Sequence, residues 1–422
     1  MKDNIILAKG VKRPIDSKKT GLNANVAILG ASGSGKTMSF VEPRLLETFD
    51  SSLIVTVTKR RIVDKYKPLF AERGYQVWDL NFADPEASDV AFDPLHYVKT
   101  SQDCSFLANS IIYANPQKKA SINTDHFFDE AATNLLSAEI SGIRSTVKSP
   151  SFADVIEFHS MLKIDENDGV IKTSFDNFFD KLEKKKTDSF AVSCWKTFRN
   201  LPIRTAGCVY SSMNTVVSQV FTPELTKMFR KRNKLNFHEL ATKKTVLFVT
   251  TSPVNTALHT VTNLFYATMF KQLFELAQTL PEGKLPIPVN VIADDFACGG
   301  KIPNFDEYIS VFREAGISAM LLLQSESQLN SIYGVDQATI ILDNCDTIAF
   351  VGSMDLKTCQ TISQRVNLPL EDVLYMPLQQ VMVFRRGERP IIAERYDILN
   401  DRRYQTITKQ YMSQVKRDTR TI

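Results

Sequence analysis

A run of small residues, from Gly30 to Thr37, has the types and spacing needed to hold phosphate. It fits the pattern G-x-x-x-x-G-K-[ST], in which backbone N–H groups turn inward onto phosphate oxygens at the start of a helix. Lys36 then reaches the β- and γ-phosphates, and Thr37 is a ligand for Mg²⁺. The pattern predicts that the following residues contact ATP: Gly30, Ala31, Ser32, Gly33, Ser34, Gly35, Lys36 and Thr37.

The alternative interpretation of this run is an ordinary Gly/Ser turn between a strand and a helix. The apolar run Val26 to Leu29 before it indicates a buried strand, and Met38 to Phe49 after it is amphipathic. Both flanks favour a phosphate-binding loop.

ATP hydrolysis also needs an acidic group for the metal and a group that polarises water. Val289 to Ala293 is a mostly apolar strand that ends in two carboxylates. We assign Asp294 to the Mg²⁺ shell and Asp295 to water activation. A strand that simply ends in polar residues is the alternative.

Two further polar residues are candidates for the same reaction. Gln324 follows the apolar run Ala319 to Leu323, where it is placed to bond the attacking water or the γ-phosphate, unless it is a plain helix cap. Arg313 lies just before that run and is either an arginine finger for a neighbouring subunit or an ordinary salt-bridge partner.

Strand-like and helical patterns alternate around these residues. Further strands are expected at 5–8, 53–57, 76–80, 245–249, 348–351 and 381–384, with helices at 64–73, ending at Gly74, and at 258–280. Such alternation predicts an α/β fold with a mostly parallel sheet.

The pattern of predicted strands and helices divides the chain into four parts. Residues 1–102 and 230–400 form the nucleotide-binding domain, and the helical pattern of 103–229 predicts an inserted all-α domain. Residues 401–422 are a basic tail, either a frayed helix or disordered. The runs 184–186 and 230–232 are basic, and are read as solvated faces or, alternatively, as DNA or partner contacts.

Composition excludes several classes of protein. The 422 residues are 43% hydrophobic and 23% charged, as in globular proteins, and the net charge of +4 neither requires nor excludes nucleic acid. The six cysteines and five histidines show no metal-ligand spacing. Because no apolar run approaches the roughly 18 residues of a membrane span, we expect a cytoplasmic chain.

Three segments share motifs with one group of motor ATPases. They are residues 23–43, with NAN before the loop and FVEP after it, residues 294–305, with DDF and GKIPNF, and residues 313–353. Together they resemble the TraG-like coupling proteins of type IV secretion and conjugation, which are related to the FtsK/HerA pumps. The helical insertion also lies where that family carries its all-α domain.

The resemblance implies a RecA-like P-loop ATPase that assembles as a hexameric ring. It would deliver a DNA-bound relaxase, or a secreted protein, to a type IV secretion channel, with the helical domain facing cargo or accessory proteins. Family members commonly carry N-terminal transmembrane helices, whereas this chain begins close to the motor domain. Two interpretations stay open: the natural protein borrows an anchor from a membrane-anchor partner and lies peripherally at the inner face of the membrane, or the sequence is the cytosolic part of a longer protein.

The chain departs from the family pattern at two places. Asp295 stands where the family usually has Glu, and Thr58 to Arg61 stands where it usually has Asp-Pro-Lys-Gly-Glu, so that only Lys59 matches. A shorter carboxylate places the base one methylene further back, which favours slow turnover. Two alternative functions therefore stay open, a general DNA translocase of the FtsK/HerA type and a nucleotide-gated recruitment adaptor with little turnover.

Overall fold

A computed structural model of the chain describes residues 2–113, 126–167, 170–252, 255–296 and 300–418. Its strands are numbered in chain order. They are β1 Asn4–Ala8, β2 Val11–Pro14, β3 Val26–Leu29, β4 Ser52–Val57, β5 Gln76–Asn81, β6 Ile164–Asn167, β7 Val170–Thr173, β8 Thr245–Thr250, β9 Val289–Ala293, β10 Ile317–Leu323, β11 Thr347–Phe350, β12 Gln380–Arg385 and β13 Ile391–Glu394.

The α-helices fall into three groups along the chain. Those before residue 100 are Ser17–Thr20, Glu42–Leu46 and Arg60–Glu72. The middle group is Ser101–Tyr113, His126–Thr146, Phe152–Ser160, Asp176–Lys185, Ser189–Arg199, Ile203–Val220 and Pro223–Phe229. The last group is Phe237–Thr242, Thr256–Thr279, Phe305–Ala315, Glu326–Tyr333, Val335–Asp343, Leu356–Val366, Leu370–Leu374 and Arg402–Asp418.

A nine-stranded sheet organises the described residues, in the order β13-β12-β11-β3-β10-β9-β4-β8-β5. The strands from β11 to β5 in that order pair in parallel, and β12 and β13 pair antiparallel at one edge. Strand β10 lies between β3 and β9, with Leu323 opposite Leu29 and Leu321 opposite Ala293. The carboxyl ends of these three strands therefore meet at one edge of the sheet.

The sheet is buried on both faces, as parallel sheets in α/β proteins are. Side chains alternate along β3, so that Ala27 and Leu29 belong to one hydrophobic core while Val26 and Ile28 belong to the other. The first core continues into the helices between residues 101 and 229, and the second lies under Arg60–Glu72 and Arg402–Asp418. Burial on both faces explains why these strands read as continuous apolar runs.

The middle group of helices has an aromatic centre. Phe158 stacks on Phe175 and Phe179 stacks on Trp195, with ring centroids 3.9 and 4.4 Å apart. The described part of this segment also contains one antiparallel hairpin, β6–β7, which the helical periodicity did not predict. Apart from that hairpin, the regular elements of its described part are helices.

Each strand predicted from the sequence is present, with bounds that agree to within two residues. The helix predicted at 64–73 begins earlier, at Arg60, and Gly74 follows its end with φ of 75°. The tail forms the helix Arg402–Asp418, anchored by buried Tyr404 and Ile407, and residues 419–422 lie outside the described part. No described helix is both long enough and apolar enough to cross a membrane.

Candidate nucleotide site

The phosphate-binding pattern lies at the carboxyl end of β3, where the chain turns into a helix. Gly30 packs so closely that an added Cβ would lie 2.3 Å from a methyl carbon of Val351. Gly35 has φ of 81°, in the left-handed region that side-chain-bearing residues rarely adopt. The motif glycines are therefore required by this loop geometry.

The loop contains polar groups that suit an anion between them. Lys36 is buried and donates from Nζ to the carbonyl oxygens of Gly30 and Ala31, the latter at 3.0 Å. The buried hydroxyl of Ser34 has no hydrogen-bond partner among the described residues. A buried cation and an orphaned hydroxyl in a small-residue loop match the chemistry of bound phosphate.

Folding brings the two halves of the predicted metal site together. Thr37 Oγ1 donates to Asp294 Oδ2 at 3.2 Å, although 257 residues separate them in the chain. A hydroxyl and a carboxylate are the hard oxygen ligands that Mg²⁺ uses, and Mg²⁺ keeps waters and phosphate oxygens for its other positions. The described residues hold no cluster of three or more acidic, histidine or cysteine ligands.

The Asp294 carboxyl is destabilised in its charged form. Burial raises its pKa to about 6, with a further contribution from the neighbouring Asp295, while the Thr37 hydroxyl and Lys36 act in the opposite direction. A buried carboxylate with too few partners is the state that a divalent cation would relieve.

This pKa predicts a gain in stability from Asp294→Asn without nucleotide. Above pH 6 the folded state holds a buried charge at a cost of up to roughly 3 kcal/mol, and the cost falls as the pH drops from 6 toward the unfolded value near 4. We expect the melting temperature to rise by a few degrees at pH 7.5 and by less at pH 5. Thermal unfolding checks this, with exposed Asp165→Asn as the control. Equal shifts at both pH values would contradict the assignment.

Asp295 occupies a turn directly after β9. Its φ of 55° is left-handed, a conformation that Asp adopts more readily than most residues. The residue lines a small cavity of about 50 Å³, beside Asp294 and next to Thr58 and Asn263. Its role as the water-activating base stays a prediction.

Gln324 and Arg313 lie at opposite ends of strand β10. Gln324 follows β10 and is level with Gly30, whose N–H donates to the carbonyl of Leu323 at 3.1 Å. Arg313 is exposed near the end of Phe305–Ala315, before β10, so roughly 20 Å of strand separates it from the loop of its own subunit. If Arg313 acts on a nucleotide, that nucleotide belongs to a neighbouring subunit.

The segment that departs from the family pattern has a structural partner. Arg60 donates from both terminal nitrogens to Asp79 at 2.7 Å, and from one of them to the Thr250 hydroxyl at 2.9 Å. These bonds join the start of the helix Arg60–Glu72 to the ends of β5 and β8.

The second basic run is mostly engaged with the protein itself. Arg230 pairs with Asp154 and Glu157, and Lys231 donates to backbone carbonyls near residue 86. Lys184 to Lys186, in contrast, end a helix on the surface and are exposed.

Sequence reasoning missed one residue at the loop, Arg395. It follows β13, a short edge strand that was not predicted, and its guanidinium donates to the carbonyl of Ser34 inside the loop. An isolated arginine after a strand of four residues carries no motif, so only the tertiary structure identifies it.

Solved structures with the same fold include a bacterial conjugative coupling protein. The chain matches the bacterial conjugative coupling protein TrwBΔN70 with sulphate, with a TM-score of 0.70, 17% identity, and 94% of this chain and 89% of that chain covered. TrwB with the non-hydrolysable ATP analogue ADPNP matches with a TM-score of 0.69 and 16% identity, over 94% of this chain and 89% of that chain. VirB4 of Thermoanaerobacter pseudethanolicus matches with a TM-score of 0.58 and 13% identity, over 94% of this chain and 98% of that chain.

These likenesses confirm the predicted fold, a P-loop core with an inserted helical segment. No curated protein sequence is significantly similar to the chain. A family model, however, matches residues 2–367, which is most of the chain, and its description is type IV secretory system conjugative DNA transfer. The chain therefore belongs to the type IV secretory system conjugative DNA transfer family, as its resemblance to coupling proteins predicts.

Proposed function

We propose that this chain is an ATP-hydrolysing coupling motor that delivers relaxase-bound DNA or protein substrates to a type IV secretion channel. The observation that carries the proposal is the bond between Thr37 and Asp294, which joins the phosphate loop to the end of β9. Family membership supplies the biological setting.

ATP and Mg²⁺ are the cofactors that the site would take. TrwB, a structural relative, has been solved with ADPNP and with ADP and Mg²⁺. In this chain the loop N–H groups and Lys36 would hold the phosphates, and Thr37 and Asp294 would hold the metal. Bound Mg²⁺ neutralises charge on the β- and γ-phosphates.

Two side chains would act on the attacking water. Asp295 would accept its proton, and Gln324 would orient it or sense the γ-phosphate. Asp295 follows β9 and Gln324 follows β10. In the sheet these strands lie beside β3, which leads into the loop of Lys36, and all three end on the same side. Burial and the neighbouring Asp295 raise the pKa of Asp294, so the negative charge of Asp294 is unfavourable until a cation binds.

Assembly as a hexameric ring would give Arg313 a role. Since it lies at the sheet edge opposite its own loop, it would meet the nucleotide of a neighbour. Residues 103–229 would then dock cargo or accessory proteins, DNA would be moved by the ring, and a membrane-anchor partner would hold the cytoplasmic chain at the inner face of the membrane.

Arg313→Ala tests the shared site. We expect unchanged ATP affinity, since the side chain is remote from its own loop, and a fall in hydrolysis of about 100-fold or more in assembled rings, because an arginine finger stabilises transition-state charge. Mixing the variant with Lys36→Ala subunits should restore partial activity, because each subunit supplies what its neighbour lacks. Normal hydrolysis by Arg313→Ala rings would exclude the finger.

Steady-state ATP hydrolysis, measured with and without DNA across protein concentration, tests the function itself. A motor with shared sites would show activity that rises more than linearly with concentration, increases with DNA and is abolished by Lys36→Ala. If the chain does not bind ATP–Mg²⁺, the proposed function is wrong. Binding with background hydrolysis, even with DNA and cargo, would indicate the nucleotide-gated adaptor, and DNA-stimulated hydrolysis indifferent to cargo would indicate a general translocase.

A further inference from the structure

Arg395 connects the edge hairpin of the sheet to the phosphate loop. Its guanidinium donates from Nη1 to the carbonyl of Ser34, from Nη2 to that of Val351 at 2.6 Å, and from Nε to that of Gln380 at 2.9 Å. Ser34 is in the loop, Val351 follows β11 and Gln380 begins β12. One side chain thus fixes the loop relative to two strands.

The arginine is half-buried without a counter-ion. Its recorded partners are all neutral carbonyls, and burial alone lowers the pKa of the guanidinium. No ion pair to it occurs among the described residues. A partly desolvated cation with no carboxylate is costly in a stable fold unless an anion compensates it. The loop to which it bonds is the one that would receive phosphate.

The contact to Ser34 also determines where the next amide points. In a planar trans peptide the carbonyl of one residue and the N–H of the next point in opposite directions. Since Arg395 bonds to the Ser34 carbonyl, the N–H of Gly35 points away from Arg395. Because hydrogen bonds in a chain polarise one another, the same contact strengthens that N–H as a donor.

The backbone at position 35 favours glycine, because its φ of 81° is unfavourable for other residues. The guanidinium passes beside this residue, where an added Cβ would lie 3.8 Å from Nη1 of Arg395. No side chain separates the guanidinium from the loop backbone. One N–H on each terminal nitrogen has no partner among the described residues, so the group retains donors for an anion.

We propose that Arg395 is a positioning residue of the phosphate loop, which orients the Ser34–Gly35 peptide toward bound phosphate and supplies a positive charge that no carboxylate of the described chain neutralises. The inference rests on the proposed nucleotide site and adds a residue to it. It also gives the edge hairpin β12–β13 a direct connection to the nucleotide.

The test compares Arg395→Gln, Arg395→Lys and the control Arg389→Gln. Arg389 is an exposed arginine of the same hairpin, and its side chain has no hydrogen bond or ion pair to the described residues. Binding of ATP, ADP and adenosine is measured by calorimetry, together with the melting temperature of the nucleotide-free protein. Adenosine provides the readout that distinguishes phosphate positioning from general damage to the site.

We expect Arg395→Gln to weaken ATP and ADP binding at least about 10-fold while leaving adenosine binding unchanged, because a charge-assisted bond at the phosphates is lost. Arg395→Lys should recover part of the loss, since it keeps the charge without the fork that holds two carbonyls. Arg389→Gln should bind like the unchanged protein.

Three results would overturn the inference. They are ATP affinity unchanged in Arg395→Gln, equal losses for ATP and adenosine, or, if the Gln variant does not fold, unchanged ATP affinity in Arg395→Lys. In each of these the unchanged protein still binds ATP and Lys36→Ala still does not, so the proposed function stands. If the unchanged protein binds no ATP–Mg²⁺, both proposals fail.

Discussion

Lys36→Ala is expected to weaken ATP binding by more than about 100-fold. The ammonium group is buried among loop carbonyls, and on nucleotide binding it would exchange them for phosphate oxygens. Charge-assisted hydrogen bonds contribute roughly 1.5–3 kcal/mol each, and the substitution removes the buried cation that belongs to the loop itself, residues 30–37. Calorimetric titration with ATP and Mg²⁺ measures the loss directly.

The control is Lys409→Ala, on an exposed position of the C-terminal helix, which should bind ATP normally. Melting temperatures must accompany the titration, because Lys36 also bonds to two carbonyls of the loop, and its removal takes the Lys36 donor from Gly30, while the Ala31 carbonyl still accepts from the Ser34 N–H. A folded Lys36→Ala protein with ATP affinity within 10-fold of the unchanged chain would show that the loop is not the phosphate site.

Asp294→Asn is expected to lower ATP hydrolysis by about 1,000-fold. Asparagine has nearly the same shape and can still accept from the Thr37 hydroxyl, but it removes the charge that holds Mg²⁺. Nucleotide binding in the absence of Mg²⁺ should change little, because Lys36 and the loop N–H groups are intact. The two measurements are the hydrolysis rate and the dependence of ATP affinity on Mg²⁺ concentration.

Asp294→Asn is also expected to raise the stability of the nucleotide-free protein, although it lowers ATP hydrolysis. One variant therefore tests both predictions about this carboxylate. A more stable protein that no longer responds to Mg²⁺ would match a carboxylate kept charged for a metal. Asp165→Asn, exposed in the β6–β7 hairpin, should change neither property. Hydrolysis within 10-fold of the unchanged chain would assign the metal to another residue.

The sequence predicts local elements well where burial is nearly complete. Strands such as β9 and β10 are buried along their whole length, so their apolar runs are visible without any tertiary information. Strand β13 alternates between half-buried and exposed residues at the edge of the sheet, so its pattern is weak and its position was missed. Because β13 was not predicted, Arg395, which directly follows it, was not identified as a site residue.

The order of the strands is a second property that the sequence does not contain. The chain passes from β3 to β4, yet β10 and β9 are inserted between them in the sheet. This order results from packing between segments that are far apart in sequence, and no local periodicity reports it. It is the reason that Gln324, which follows β10, lies level with Gly30, which follows β3.

The sequence alone predicts the candidate phosphate loop, the acidic strand end and the α/β class, because these depend on residue types at fixed spacings and on local hydrophobic patterns. The tertiary structure adds that Thr37 contacts Asp294, that Arg313 is remote from its own loop and that Arg395 bonds to Ser34. Such contacts join residues hundreds of positions apart. They are fixed by strand order and by the burial of two cores, and therefore exist only once the whole sheet has formed.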